Sequence, residues 1–173
     1  LLITISGVAP RIHFTNINFE NPQTPPTLCM LVRKHFQSAK LISIEQLSLD
    51  RVLTLNFLGR NEMGDEVELS VIVEIMGRSS NIIFTANQKI IDCLRRSDPE
   101  KSDRLILPGA KYQYPKIRDK QNILTCDINE VAQNIAEQTM PLFKAVTLCL
   151  EGISPLVARE ITINALNDVD ATC

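Results

Sequence analysis

The sequence predicts an α+β protein: a sandwich-like antiparallel β meander with one helix packed on it, followed by a helical segment. Three observations carry this. Within Val67–Phe84, Val71, Val73 and Ile75 fall on one face and Ile72, Glu74 and Met76 on the other, the period of two that marks a strand. Between Thr27 and Ala39, Leu28, Cys29, Val32 and Phe36 recur at helical spacing. After about Lys120 the alternation stops and capping signals take over. Residues 1–120 are therefore read as a β-rich domain and residues 121–173 as a helical segment, with the change near Gln121 to Thr125.

The elements follow in order. Leu1–Ile5 and Arg11–Thr15 read as short strands around a Gly7/Pro10 turn. Asn16–Pro26 is a loop, since its prolines are poor ladder formers. Thr24-Pro25-Pro26 then leads into the helix, whose Arg33, Lys34 and Gln37 fall away from the apolar stripe. Leu41–Gln46 is a strand. Arg51–Phe57 alternates Val52, Thr54 and Asn56 against Leu53, Leu55 and Phe57, which makes it a neighbour of the central hairpin. Asn61–Asp65 is a hairpin loop in which Gly64 can take a positive φ. Gly77–Asn81 is a five-residue loop with Arg78 at its tip. Asn87-Gln88 turns the chain into a last strand, Lys89–Leu94, and a charged loop (95–104) precedes the turn-rich stretch Leu107–Pro115.

In the helical segment Asp127 is a suitable N-cap with Glu130 three residues on, and that helix is expected to continue to Pro141. Leu142–Leu150 and Pro155–Leu166 are two more helices. Ser154 caps the last, with Pro155 at its first position.

The formal net charge of −2 excludes a protein that coats nucleic acid wholesale. Its distribution says more: residues 1–120 carry 16 Lys and Arg against 13 Asp and Glu, whereas residues 121–173 carry 2 against 7. A basic-leaning body precedes an acidic tail segment. The five cysteines (Cys29, Cys93, Cys126, Cys149 and Cys173) are odd in number and form no CxxC. With Cys29, Cys93 and Cys149 in apolar surroundings, buried free thiols in a reducing compartment are expected. No apolar run approaches the ~20 residues that span a bilayer. The chain starts without methionine in the apolar run LLITI, which reads as a strand whose neighbour is encoded upstream.

Chemistry is sparse. There is no GxGxxG, P-loop or GxSxG, and the two histidines, His13 and His35, lie in no ligand-spaced cluster, so neither a cofactor nor a metal is expected. Glu62, Asp65 and Glu66 crowd one hairpin, where acids are normally solvated rather than paired for proton transfer. Arg33-Lys34-His35 reads either as a solvated helix face or as an anion-binding patch. Asp50-Arg51 reads either as a local ion pair at a strand start or as a nucleotide contact, in which the arginine donates to phosphate and the aspartate orients it.

Seven stretches resemble a known family: APRIHFT (9–15), NPQTPPTLCMLVRKHF (21–36), IEQLSLDRVLTLNF (44–57), RNEMGDE (60–66), VEIMGRSSNIIF (73–84), LPGAKYQYP (107–115) and GISPLVAREI (152–161). They are similar to the N-terminal NFACT module of the fibronectin-binding-protein A family, of the bacterial RqcH type and related to the eukaryotic NEMF factors. Members have a further N-terminal stretch, coiled-coil arms and a C-terminal RNA-binding part that this sequence lacks.

The resemblance implies a cytoplasmic ribosome quality-control factor. Such a factor binds a large ribosomal subunit carrying an obstructed nascent chain and recruits alanyl tRNA, so that a C-terminal alanine tail marks the chain. It also implies a glycosylase N-terminal-domain-like fold, with the tail as the start of a helix-hairpin-helix domain. Asp50 and Arg51 match the family's tRNA-binding pair; Arg33 and Lys34 match a basic element, and Arg78 matches a loop arginine, as further RNA or phosphate contacts. No catalytic residue is implied, because the repair enzymes of that fold act through a nucleophilic N-terminus. The alternatives are a fibronectin-binding surface adhesin and a glycosylase-like DNA-processing enzyme. If the body meets RNA, Arg33, Lys34, Arg51 and Arg78 are expected to gather in one patch.

Overall fold

The computed structural model describes residues 1–100, 104–115, 120–168 and 171–172. The chain divides into two compact units, one of Leu1–Leu47 with Arg51–Pro115 and one of Ser48–Asp50 with Lys116–Cys173.

The first unit is built on a five-stranded antiparallel meander. β1 (Leu2–Thr4) and β2 (Arg11–His13) form a separate two-stranded sheet, and α1 (Thr27–Phe36) follows. β3 (Lys40–Gln46), β4 (Val52–Arg60), β5 (Glu66–Glu74), β6 (Asn81–Ala86) and β7 (Lys89–Cys93) then pair in sequence order, each with the next. This is the α+β meander that the alternation predicted. The register sets Leu53 opposite Val73 and Leu55 opposite Val71, while Thr54 faces Ile72 and Val52 faces Glu74. The two predicted faces are therefore the two real ones.

Each face carries a core, although edge strand β3 stays largely exposed. Leu55, Val71, Val73 and Ile82 form one core with Ile3, Ile5 and Ile12 of the small sheet and with Phe36 of α1. Phe36 meets Phe57 and Phe84 edge-on, with ring centroids 5.6 and 5.9 Å away. The α1 stripe Leu28, Cys29, Val32 and Phe36 is half-buried throughout, and Arg33, Lys34 and Gln37 are exposed. At ten residues α1 is too short to persist without this packing. It ends at Phe36 rather than running to Ala39.

On the opposite face Val52, Ile72, Ile83, Ile90, Cys93 and Ile106 form a second core, flanked by Ala110 and Tyr112. Cys93 alone of the three thiols expected inside is fully buried; Cys29 and Cys149 are half-buried. Burial, and then Asp92, raise the Cys93 thiol pKa, so that it stays protonated.

A buried ion pair closes this face. Glu74 is 2% exposed. Arg104 reaches it with both terminal nitrogens, Nη1 to Oε2 at 3.0 Å and Nη2 to Oε1, and the Tyr112 hydroxyl donates to Oε1 at 2.8 Å. Arg104 also donates from Nε to the Gln113 carbonyl at 2.6 Å and lies 5.1 Å from the Tyr112 ring centroid. Burial opposes the Arg104 charge, but Glu74's bond and charge outweigh it and raise the guanidinium pKa. Burial, then the Glu74 charge and bond, push the Tyr112 phenol well above its ordinary 10.0.

The phenol gives a pH prediction. An unfolded tyrosine ionises near 10. The folded Tyr112 holds its proton above that pH, so the unfolded state binds fewer protons and stability falls as pH rises past about 10. Tyr112→Phe is expected to flatten this alkaline slope and to lower stability at neutral pH by about 1 kcal/mol, the worth of one hydrogen bond. Unfolding curves at neutral and alkaline pH measure both effects, and an unchanged slope would refute the assignment.

Turn chemistry matches the sequence where glycine or asparagine demanded it. Gly64 has φ +89°, and Asn61 Oδ1 accepts from the Met63 and Asp65 amides at 2.9 Å each. Asn87 and Gln88 both have positive φ, the primed two-residue hairpin turn that suits the strand twist.

The second unit holds a two-stranded parallel pair, β8 (Gln121–Asn122) with β9 (Leu150–Glu151), and three helices: α2 (Ile128–Ala136), α3 (Leu142–Cys149) and α4 (Pro155–Leu166). Asp127 Oδ1 caps α2 by accepting from Asn129 N at 2.7 Å, and Ser154 Oγ caps α4 by accepting from Val157 N at 3.2 Å. α2 stops at Ala136, short of Pro141. Val131, Phe143, Val146, Leu150 and Ala158 make the core of this unit.

Candidate functional site

The structure splits the four predicted contact cations into two groups. Arg33 and Lys34 lie in the last turn of α1, beside the β4–β5 hairpin. They line an open cleft of about 540 Å³ with His35, Leu58, Arg60 and Glu66. Lys34 Nζ is paired with Glu62 of that hairpin at 2.9 Å, and its bond and charge hold the Glu62 carboxyl below its usual range. Basic residues at a helix C-terminus also offset the partial negative charge of the last carbonyls.

Arg51 and Arg78 lie at the other end of the sheet. Arg51 immediately precedes β4, and its carbonyl accepts from Ile75 N at 2.8 Å; Arg78 follows two residues beyond Met76. β4 has nine residues and so extends over roughly 27 Å. The expected common patch of Arg33, Lys34, Arg51 and Arg78 is therefore not formed. The reason is the direction in which α1 runs: its basic last turn lies at the hairpin end of β4, while Arg51 opens the strand. Spacing in the sequence could not reveal that.

The Arg78 loop is an ordered turn. Gly77–Ser79 makes one turn of 3₁₀ helix, entered through Gly77 at φ +58°. Ser80 is fully buried, its hydroxyl donating to Gly77 O at 2.8 Å and accepting from Met76 N at 3.0 Å. Asn81 belongs to β6, paired with Glu74, rather than to the loop. Its side chain clamps Arg95, donating to the Arg95 carbonyl at 2.7 Å and accepting from the Arg95 amide at 2.9 Å. Arg78 itself projects into solvent.

Asp50 and Arg51 are neighbours in sequence, but Asp50 belongs to the second unit and Arg51 to the first. Within the second unit, Ser48 donates to Glu151 Oε2 at 2.8 Å and accepts from Asn122 Nδ2 at 3.0 Å. Leu49 packs against Gly152, where a Cβ would come within 2.9 Å of Leu49 Cδ1 and φ is +82°. The backbone leading to Asp50 is thus fixed. Asp50 is half-buried and Arg51 is exposed. An exposed guanidinium on anchored backbone, as at Arg51, suits phosphate recognition.

Sequence reasoning missed Glu74–Arg104–Tyr112 and Asn81–Arg95. The first had a signal: an acid at a core-facing register position of an apolar strand requires a partner. The second had none, because the Asn81–Arg95 contact joins the first residue of β6 to the segment after β7, 14 residues on. Among the described residues no cluster of His, Cys, Asp and Glu could hold a metal ion, and no helix is long and apolar enough to cross a membrane.

The chain is 39% identical over 163 residues to the "Rqc2 homolog RqcH" of Bacillus subtilis, an alignment covering 92% of this chain and 29% of that protein. Among solved structures, the N-terminal part of the fibronectin/fibrinogen-binding protein of Streptococcus suis matches with a TM-score of 0.80 at 31% identity, covering 96% of this chain and 63% of that one. The N-terminal domain of the fibronectin-binding protein PavA of Streptococcus pneumoniae matches with the same TM-score at 29% identity, covering 95% and 62%. The chain thus spans less than a third of the length of its Bacillus relative. Residues 1–172 match the family of NFACT N-terminal and middle domains, and the chain belongs to that family.

Proposed function

We propose that the chain is the tRNA-engaging module of a cytoplasmic ribosome quality-control protein. It acts on a large ribosomal subunit carrying an obstructed nascent chain, where Asp50 and Arg51 grip alanyl tRNA with help from Arg78, so that the nascent chain receives a C-terminal alanine tail. In this reading the chain performs no chemistry of its own. One observation carries it: Arg51 and Arg78 stand exposed at one end of a rigid sheet, on backbone held by hydrogen bonds. The relationship to RqcH supplies the class of partner. With a modest excess of basic residues over 1–120, the chain alone is expected to bind RNA weakly, since affinity scales with the number of phosphates neutralised.

A second reading, fibronectin binding, is favoured by what the two streptococcal relatives are named for. Sedimentation separates the two. The full-length protein is expected to co-sediment with large subunits and tRNA, with a strong loss at raised salt. Absence from that fraction, together with salt-insensitive capture by immobilised fibronectin, would reverse the choice.

A further inference from the structure

The turn that carries Arg78 is held from outside by a second arginine. Arg95 donates from Nη1 to the Arg78 carbonyl and from Nη2 to the Ile5 carbonyl at 3.2 Å, while Asn81 locks its own backbone at both the amide and the carbonyl. The guanidinium fork spans two backbone segments far apart in sequence, which a lysine ammonium could not match in geometry. Both acceptors are neutral, so the Arg95 charge is not cancelled. Nearby, Arg96 pairs with Asp92 and Arg104 with Glu74; among the described residues, Arg78 and Arg95 have no carboxylate partner.

We propose that Arg95 is a positioning residue for phosphate recognition: it pins the Gly77–Ser79 turn so that Arg78 meets a nucleic-acid phosphate without first being ordered. The inference rests on the tRNA reading above and deepens it. Gly77 at φ +58° gives the turn a permissive entry, and a turn of three residues has little packing of its own. The Ser80 hydroxyl closes it from inside, and Arg95 fixes its carbonyl from outside. Holding the turn in its binding geometry removes the ordering cost from the binding step.

The test is equilibrium binding of labelled alanine-accepting tRNA to the full-length protein over a range of salt, with thermal unfolding alongside. Arg78→Ala is expected to weaken binding roughly tenfold, the scale of one charge-assisted hydrogen bond. It should also reduce the salt slope by about one. Arg95→Ala and Arg95→Lys should each weaken binding to a similar degree, the lysine failing although its charge is kept. In an Arg78→Ala background, Arg95→Ala should cost no further affinity, while any shift in melting temperature it causes should persist. Wild-type binding by Arg95→Lys would show that charge alone matters and overturn the proposal, as would a full additional loss in the Arg78→Ala background. Arg51→Ala keeps the two readings apart. If it abolishes binding while the Arg78 and Arg95 variants bind normally, only the positioning role falls; if none of the three changes binding, the tRNA reading falls as well.

Discussion

Replacing Asp50 and Arg51 together by alanine in the full-length protein is expected to remove most of the tRNA recovered with large ribosomal subunits while leaving the fold intact. Arg51 is exposed, and its carbonyl accepts a bond from Ile75 N in the sheet. An alanine keeps that carbonyl, and at this exposed position Arg51→Ala alone should change stability by about 0.5 kcal/mol. Asp50 is half-buried, and the double variant should lose about 1 kcal/mol. Subunit binding should survive in part, since this chain covers only 29% of its Bacillus relative and other regions have room to contribute. The measurement pairs thermal unfolding with tRNA recovery. Wild-type recovery in a folded variant would end the assignment of these two residues. A collapse in melting temperature would instead identify the pair as a structural bridge.

The largest stability effect is expected at Glu74. Removing one partner from a buried ion pair strands the other charge, at a cost of about 3–5 kcal/mol. Glu74→Ala leaves Arg104 and the Tyr112 hydroxyl without their shared acceptor, and Arg104→Ala leaves a carboxylate that is 2% exposed. In a protein of this size 1 kcal/mol corresponds to roughly 2–4 °C, so either variant should melt about 10 °C lower. Replacing both by methionine should recover much of the loss, because the desolvation of two charges disappears along with their attraction. A double-mutant cycle by denaturant unfolding measures the coupling. Single losses below 1 kcal/mol would mean that water reaches the pair and that the bridge is not a buried one. Glu74 lies opposite Val52, next to Arg51, so any tRNA defect of a Glu74 variant has to be read against its melting temperature.

Much of this architecture was legible in the residues because it depends on local periodicity. The alternation in 51–57 and 67–76 assigned both sheet faces correctly, since side chains of a strand must alternate across the pleat. Asp127 and Ser154 marked their helix starts because a short polar side chain is what the first free amides need. Gly64 was visible as a position where the backbone can take a positive φ, and Asn87-Gln88 was visible as a turn, though not as one with two positive φ angles. Helix ends were less visible: α1 stops at Phe36 rather than Ala39 and α2 at Ala136 short of Pro141, because neither has a glycine or proline at its last turn to mark the end.

Which residues would act together was decided only by the tertiary structure. Arg33 and Arg78 both looked like members of one basic patch, yet one lies at the hairpin end of the meander and the other at the opposite end with Arg51. Strand direction and the path of α1 set that separation, and neither is encoded in local spacing. The chain determined by its own composition and motifs that it is an α+β member of the NFACT family. The buried Glu74–Arg104 pair and the Arg95 clamp on the Arg78 turn exist because folding brings together groups 30 and 17 residues apart. Hydrogen-bond geometry over such separations is a property of the packed chain, where each donor and acceptor must find a partner as water is excluded.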